Sequence, residues 1–482
     1  MTVVARCSTP EQATATRRHL AAIADSLNLK IAIETPEAAV SGYFARCPGE
    51  PDRHGVRRAI MSTAAAVKLS PVLSTWHGPT THPHPNYPSN DPILMLSTPE
   101  REPFRMYHHD GQVGHTLVFG KTGGGKSVLL RAIENGHLSR YKGGEILTFD
   151  IGYTALKYAL AIHGKHIVAS RQASKQFAFL AGIHEPKNHA AILDDLRDLT
   201  ELWINREITI PEYKALTRTV EQLATTEPDL VHLSAIAAYI QDMDLRELFA
   251  LFKDSFLDGT VDPLHFEGTV PYWAIEYGTL GIDNARWVSP FIAHVQRRAY
   301  EAYETRPGVP RLSIFDEGAR AIKSRRIADY KERQDREGRK HNVSSIFATQ
   351  GPSEILKSDI GDAIIQQTAT RISFGEPGAA QPKVRQQYLD VGFTEEEVEL
   401  ITTLNTFDFL ISTTKGHQVV RLDPADLELA IYGGASDEDR QRVLSLYEEW
   451  NAGWLAQYLD THDEIPSVRA YSEGIRALEV PA

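Results

Sequence analysis

Seven short apolar runs punctuate the chain: Thr116–Phe119, Glu145–Phe149, Arg311–Phe315, Ser344–Ala348, Thr370–Phe374, Asp408–Ser412 and Gln418–Leu422. Most are bounded by glycine, polar clusters or helix-like stretches. That is the pattern of strands buried on both faces of a largely parallel sheet, so the chain reads as α/β with a mostly parallel sheet. From about 186 to 265 the rhythm changes. Ile192, Leu196, Leu199 and Trp203 recur at helical spacing, as do Leu216, Val220 and Leu223, which predicts an all-helical insertion into the α/β core. At the start, Glu11–Leu27 is helix-like, Lys30–Glu34 alternates as a strand does, and Val56–Leu69 reads as a second helix. Near the end, Ser436 is placed to cap a helix with Asp439 three residues on, and Val443, Tyr447 and Trp450 form an apolar stripe along it.

Between Ser74 and Asp91 the composition shifts. Pro79, Pro83, Pro85 and Pro88 stand among His77, His82 and His84, a run that predicts an extended linker rather than a helix or central strand. The histidines have no cysteine or carboxylate partner at ligand spacing, so a loop tolerating histidine is the better reading than a metal site. The predicted organisation is a small N-terminal α/β unit over 1–75, a Pro/His-rich linker over 76–110 and the first portion of the core over 111–185. The helical insertion follows over 186–270, then the remainder of the core over 271–430 and a C-terminal helical segment over 431–482.

At 482 residues, more than one domain is expected. With 42% hydrophobic and 24% charged residues, neither a disordered nor a collagen-like chain fits. No apolar run approaches the 18 or so residues of a membrane helix, and Met1–Arg6 does not open a signal peptide. Two cysteines, Cys7 and Cys47, make no disulfide framework and point to a reducing, cytoplasmic setting. A net charge of −12 argues against a passive nucleic-acid coat protein, although a local basic channel stays open.

The most specific motif is Gly120-Lys121-Thr122-Gly123-Gly124-Gly125-Lys126-Ser127. It fits G-x-x-x-x-G-K-[ST], directly after an apolar strand and before the helix-like Val128–Ile133. Its four glycines let successive backbone N–H groups turn inward toward phosphate oxygens, and the following helix adds its positive end. Lys126 would reach the β- and γ-phosphates of ATP, and the Ser127 hydroxyl would ligate Mg²⁺. A second acid is needed, and Arg311-Leu-Ser-Ile-Phe-Asp-Glu317 supplies an apolar strand ending in two carboxylates. Asp316 would hold the metal shell, while Glu317 would polarise the attacking water.

Gln350, at the end of Phe347-Ala-Thr-Gln350, suits a sensor of the γ-phosphate or of the water; a polar strand cap is the alternative. Asp150, in Phe149-Asp-Ile-Gly152, either faces the same crevice or simply forms a turn. Between Arg320 and Lys340 nine basic residues face four acidic ones. They form either a solvated helix face or a portion of a site completed across a subunit interface, for which Arg339 and Arg371 are the candidates.

With these residues in place, the chain resembles the TrbE-like conjugal-transfer ATPases of type IV secretion systems, in the CagE/TrbE/VirB family. The likeness rests on Gly114–Gly120, Leu147–Gly152, Ile346–Gln350, Ala369–Phe374 and Leu427–Asp437 in order, and it covers most of residues 45 to 455. It implies a RecA-like P-loop NTPase core with a helical insertion and C-terminal helices. It implies too a homo-hexamer, peripheral attachment to the cytoplasmic face of an inner-membrane secretion complex, and partnership with its components and other secretion ATPases. Relatives are often near twice this length, so 1–75 is expected to be a remnant of a larger N-terminal domain, in a shortened protein or a fragment. Arg371 stands where relatives often carry lysine.

The function these features favour is an ATPase energising conjugative type IV secretion, through pilus biogenesis, channel assembly or substrate transfer. A DNA translocase or coupling protein on the same core is the first alternative; it predicts duplex-stimulated, salt-sensitive turnover. A nucleotide-binding scaffold of the secretion complex is the second.

Overall fold

The structure is a computed structural model and describes residues 7–26, 40, 41, 44, 76–85, 87, 89–121, 123–266, 268–281, 284–317, 341–358, 361–433, 436–461, 468 and 472. The chain divides into two compact units, Met1–Thr75 and Trp76–Ala482. In the first, helix α1 spans Pro10–Ser26, and the Thr9 hydroxyl accepts from the Gln12 N–H at its start (3.2 Å). The strand expected at Lys30–Glu34 and the helix expected at Val56–Leu69 lie outside the described residues.

The second unit is built on one sheet of eleven strands. They are β1 (Leu94–Ser97), β2 (Pro103–Met106), β3 (His115–Phe119), β4 (Glu145–Asp150), β5 (Lys165–Val168), β6 (Tyr272–Glu276), β7 (Arg311–Asp316), β8 (Val343–Thr349), β9 (Thr370–Phe374), β10 (Asp408–Thr413) and β11 (Gly416–Arg421). The order across the sheet is β2-β1-β11-β10-β9-β3-β8-β7-β4-β6-β5. From β9 to β5 all pairings are parallel. From β9 outward through β10, β11, β1 and β2 they are antiparallel. Strands β3, β4, β6, β7 and β8 are buried along their whole length, which is why their sequences are apolar without alternation.

Helices cover both faces of this sheet. Those that matter below are α2 (Lys126–Arg140), α3 (Leu156–Ala161), α4 (His189–Ile204), α5 (Ile210–Leu223), α6 (Met243–Ala250), α7 (Ala285–Glu304), α8 (Pro382–Asp390), α9 (Glu395–Thr403), α10 (Asp426–Tyr432), α11 (Asp437–Trp450) and α12 (Trp454–Asp460). Successive strand residues point to opposite faces. Leu117 and Phe119 therefore pack with Leu196, Val220, Leu248 and Phe291 in one core, while Val118 packs with Leu129, Ile133, Ile314 and Ile372 in the other. The helices α4, α5 and α6 rest on the first face. There Arg297 of α7 is tied to Asp195 of α4 at 2.7 Å, both side chains nearly inaccessible. No helix among the described residues is long and apolar enough to cross a membrane.

Two expectations need correction. The stretch 76–110 is not only an extended connection, because β1 and β2 extend the sheet and bury Ile93, Leu96, Phe104 and Met106. Its four prolines between 79 and 88 lie upstream of both strands, so they leave the ladder intact. In α11 the Ser436 hydroxyl does cap, accepting from the Asp439 N–H at 3.1 Å. Of its predicted stripe, however, only Val443 is buried, against Trp454 and Tyr458 of α12; Tyr447 and Trp450 are exposed.

Candidate functional site

Parallel strands end at one edge of the sheet, and the register brings chemistry to that edge. Phe119 pairs with Thr349 and Ser373, Asp316 with Ala348, Phe149 with Phe315, and Asp150 with Glu276. The residues that follow β3, β8 and β7, and those that end β4 and β6, are thus neighbours across the edge.

After β3 the Gly120 N–H donates to the Thr349 carbonyl (3.0 Å) and the loop turns back, Gly124 donating to the Lys121 carbonyl (3.1 Å). Gly123 and Gly125 have φ of 84° and 105°, left-handed values that a side chain would strain. Lys126 opens α2 directly after Gly125, and Ser127 lies in its first turn. Lys121 points outward and pairs with Glu376 at 2.7 Å. Thr122 lies outside the described residues, as does Arg339.

The buried Lys126 ammonium donates to Asp316 Oδ1 at 2.7 Å and to Glu317 Oε1 at 2.8 Å. Burial works against its charge, but the two carboxylates outweigh that penalty and raise its pKa above the ordinary lysine value. Gln350 Nε2 donates to the same Glu317 oxygen at 3.4 Å. Glu317 has φ of 55°, a conformation uncommon for a side-chain-bearing residue and costing of order 1–3 kcal/mol.

Asp150 is buried beside Asp316. The Thr154 hydroxyl donates to Asp150 Oδ1 (2.6 Å) and stands 3.5 Å from Asp316 Oδ2, and the Ala155 N–H donates to Asp150 Oδ2 (2.8 Å). Burial raises the Asp150 pKa; Arg131 opposes the rise and Asp316 adds to it. Asp150 therefore both faces the crevice and holds the turn into α3.

Sequence reasoning missed two components of this arrangement. Glu276 ends β6 and accepts from the N–H groups of Tyr153 (2.7 Å) and Gly278 (2.8 Å). Burial, reinforced by Asp150, pushes its carboxyl up to about 7. Tyr272-Trp-Ala-Ile-Glu276 has the same grammar as the Asp316 segment, an apolar strand ending in an acid, and could have been found by it. The other component is a buried pair on α2, Arg131 and Glu134 at 2.8 Å. The hydroxyls of Thr148 (2.6 Å) and Tyr272 (3.1 Å) both donate to Glu134.

Arg371 is not brought to the carboxylates. It sits within β9, where its Nε donates to the Val391 carbonyl at 2.7 Å. Burial lowers its pKa, and the acid that acts on it is Glu397. Among the described residues no group of three or more His, Cys, Asp or Glu side chains could hold a metal ion.

No protein-family model matches the chain. The conjugal transfer protein TrbE of Rhizobium radiobacter is 27% identical over 436 residues, covering 87% of this chain and 52% of that protein. Another TrbE relative, a probable conjugal transfer protein of Sinorhizobium fredii, is 27% identical over 438 residues, covering 87% of this chain and 64% of that one. The chain thus spans between half and two thirds of the length of these relatives. Among solved structures, VirB4 of Thermoanaerobacter pseudethanolicus superposes with a TM-score of 0.58 at 14% identity, over 71% of this chain and 99% of that one. The resemblance to TrbE-like proteins read from the motifs is borne out, and the fold is that of a RecA-like P-loop NTPase core.

Proposed function

We propose that this chain is an ATPase that energises conjugative type IV secretion, in pilus biogenesis, channel assembly or substrate transfer. The observation that carries the reading is the Lys126 ammonium in front of the phosphate loop, touching Asp316 and Glu317 at once. ATP is the substrate, its phosphates taken by the backbone of Gly120–Ser127, including Lys121, Thr122, Gly123, Gly124 and Gly125. Lys126 then binds β- and γ-phosphate oxygens, which frees the two carboxylates for separate tasks. Glu317 polarises the water that attacks the γ-phosphate, and Gln350, already within reach of Glu317, orients that water or reads the phosphate.

The donor set fits Mg²⁺. Ser127 and Asp316 offer hard oxygen ligands, the combination that Mg²⁺ takes together with phosphates. Asp150, Glu276 and Asp316 are buried, and with Glu317 they outnumber the nearby cations Lys126 and Arg131, a surplus that a divalent ion would balance. When bound, Mg²⁺ neutralises the charge developing on the phosphate oxygens.

A homo-hexamer docked on type IV secretion components at the cytoplasmic face of the inner membrane is the assembly we infer, with an arginine completing each site from the next subunit. The engagement of Arg371 with Val391 favours Arg339 for that role. The test is ATP turnover by the purified chain with and without duplex DNA, alongside the mass of the assembly. DNA-independent hydrolysis by a six-copy particle is expected, and a chain that does not hydrolyse ATP overturns the reading.

A further inference from the structure

The ends of β7 and β8, with Asp316, Glu317 and Gln350, lie to one side of β3. A triphosphate whose terminal group faces those residues must lead its nucleoside the other way. On that other side, at the same edge of the sheet, are the end of β9, the start of β10 and the end of β11, because β10 runs antiparallel to β9 and β11 returns beside it.

Phe407 stands there, immediately before β10. Its N–H donates to the Gly124 carbonyl (3.4 Å), and its own carbonyl accepts from the Leu422 N–H (3.1 Å). Its ring is so close to the phosphate loop that a Cβ on Gly125 would fall 2.8 Å from Cδ1. Below it, Phe374 is buried and already closes the core against Phe409, whereas Phe407 is only half-buried. The backbone at Phe407 has φ of 65°, a left-handed conformation that is a genuine outlier for a bulky side chain. Strain of this kind, held on both sides by hydrogen bonds, is characteristic of functional positions. Around the ring the surface is polar, with exposed Asn405 and Thr406 and the half-exposed Arg421 between Asp408 (3.6 Å) and Asp423 (3.3 Å).

We infer that Phe407 is the platform on which the base of the bound nucleotide stacks, so that one pair of loops builds both the phosphate cradle and the nucleoside subsite. The inference rests on the nucleotide reading above and adds the half of the ligand that the phosphate loop does not touch. Every purine has a π-face, so such a platform separates a nucleotide from bare polyphosphate rather than one purine from another.

Calorimetric titration of the full chain with ADP and with inorganic tripolyphosphate, both with Mg²⁺, tests it. Asparagine tolerates left-handed backbone, so Phe407→Asn removes the ring without new strain. It is expected to weaken ADP binding about tenfold, the loss of one stacked base, and to leave tripolyphosphate binding unchanged. Phe407→Trp should keep ADP affinity and report ADP, but not tripolyphosphate, by a change in indole fluorescence. If Phe407→Asn weakens both ligands equally, or neither, the subsite is elsewhere. A wild-type chain that binds neither ligand overturns the nucleotide reading itself, and this inference with it.

Discussion

At the scale of the residue, Lys126 is where binding and stability meet. It is nearly inaccessible and compensates two carboxylates, so replacing it acts in two ways. Lys126→Ala should abolish ATP turnover, and it should also lower the midpoint of thermal unfolding, since acids that lose their shared cation in a largely buried site cost about 1–3 kcal/mol. Unchanged turnover would remove the phosphate loop from the chemistry. Glu317→Gln is nearly isosteric and is expected to bind ATP while slowing turnover about 10²–10⁴-fold, the usual worth of a general base. Near-normal phosphate release would reject that role. These residues were legible because each motif is contiguous: eight residues make the loop, and two adjacent acids end one strand. Arg131 and Glu134 were not, because their meaning lies in partners elsewhere along the chain, such as Thr148 and Tyr272 for Glu134; Glu276 was overlooked although it ends an apolar strand as Asp316 does.

At the scale of the element, the seven strands expected from apolar runs are all strands, five of them in the parallel portion of the sheet. Those overlooked are β1, β2, β5 and β6. The first three are only four residues long and partly exposed. No apolar run announces β2 or β5, and the run Ile93-Leu-Met-Leu96 at β1 falls within the expected linker, while β6 follows the helical stretch too closely to stand out. The histidine-rich stretch before β1 is a packed element. His82 stacks on Tyr87 at 4.2 Å between ring centres and lies near His109 and Tyr141. Next to it His108 and His137 of α2 share a hydrogen bond of 3.2 Å. Burial pushes His137 down to about 4 and His108 well below the usual range. The native chain keeps these rings neutral while the unfolded chain protonates them below about 6.5, so their contribution is full above that pH and eroded as pH falls toward 4. Glu134, on the same helix and raised to about 7 by burial, works in the opposite direction between 4.5 and 7, so only a difference isolates the histidine. The stability gap between wild type and His137→Gln, measured by urea unfolding, should shrink by about 2 kcal/mol from about pH 7.5 to about pH 4.5. A gap that does not change with pH would deny the burial of a neutral ring there.

At the scale of the whole molecule, the acids of the candidate site come from this chain, while Arg371, one of the two candidates for a second cation, has its Nε engaged by the Val391 carbonyl. The +5 excess at 320–340 in a chain of −12 makes Arg339 the residue to test between copies. In a ring with head-to-tail interfaces, each site pairs one subunit's Lys126 with the next subunit's Arg339. Arg339→Ala and Lys126→Ala rings should each be inactive. Mixed one to one, about a quarter of interfaces would join an intact Lys126 to an intact Arg339, so up to about a quarter of the activity should return. The measurement is ATP turnover after co-assembly, with mixed particles verified by mass. Recovery in mixed rings alone requires action across the interface, whereas mixed rings as inactive as either parent would return the arginine to its own subunit or exclude it. That result would also change how the strain at Glu317 is understood. If Glu317 is the base, its left-handed backbone and its contacts with Lys126 and Gln350 of its own chain would be altered when a triphosphate draws Lys126 away, and an arginine from the neighbour would make that change depend on the ring.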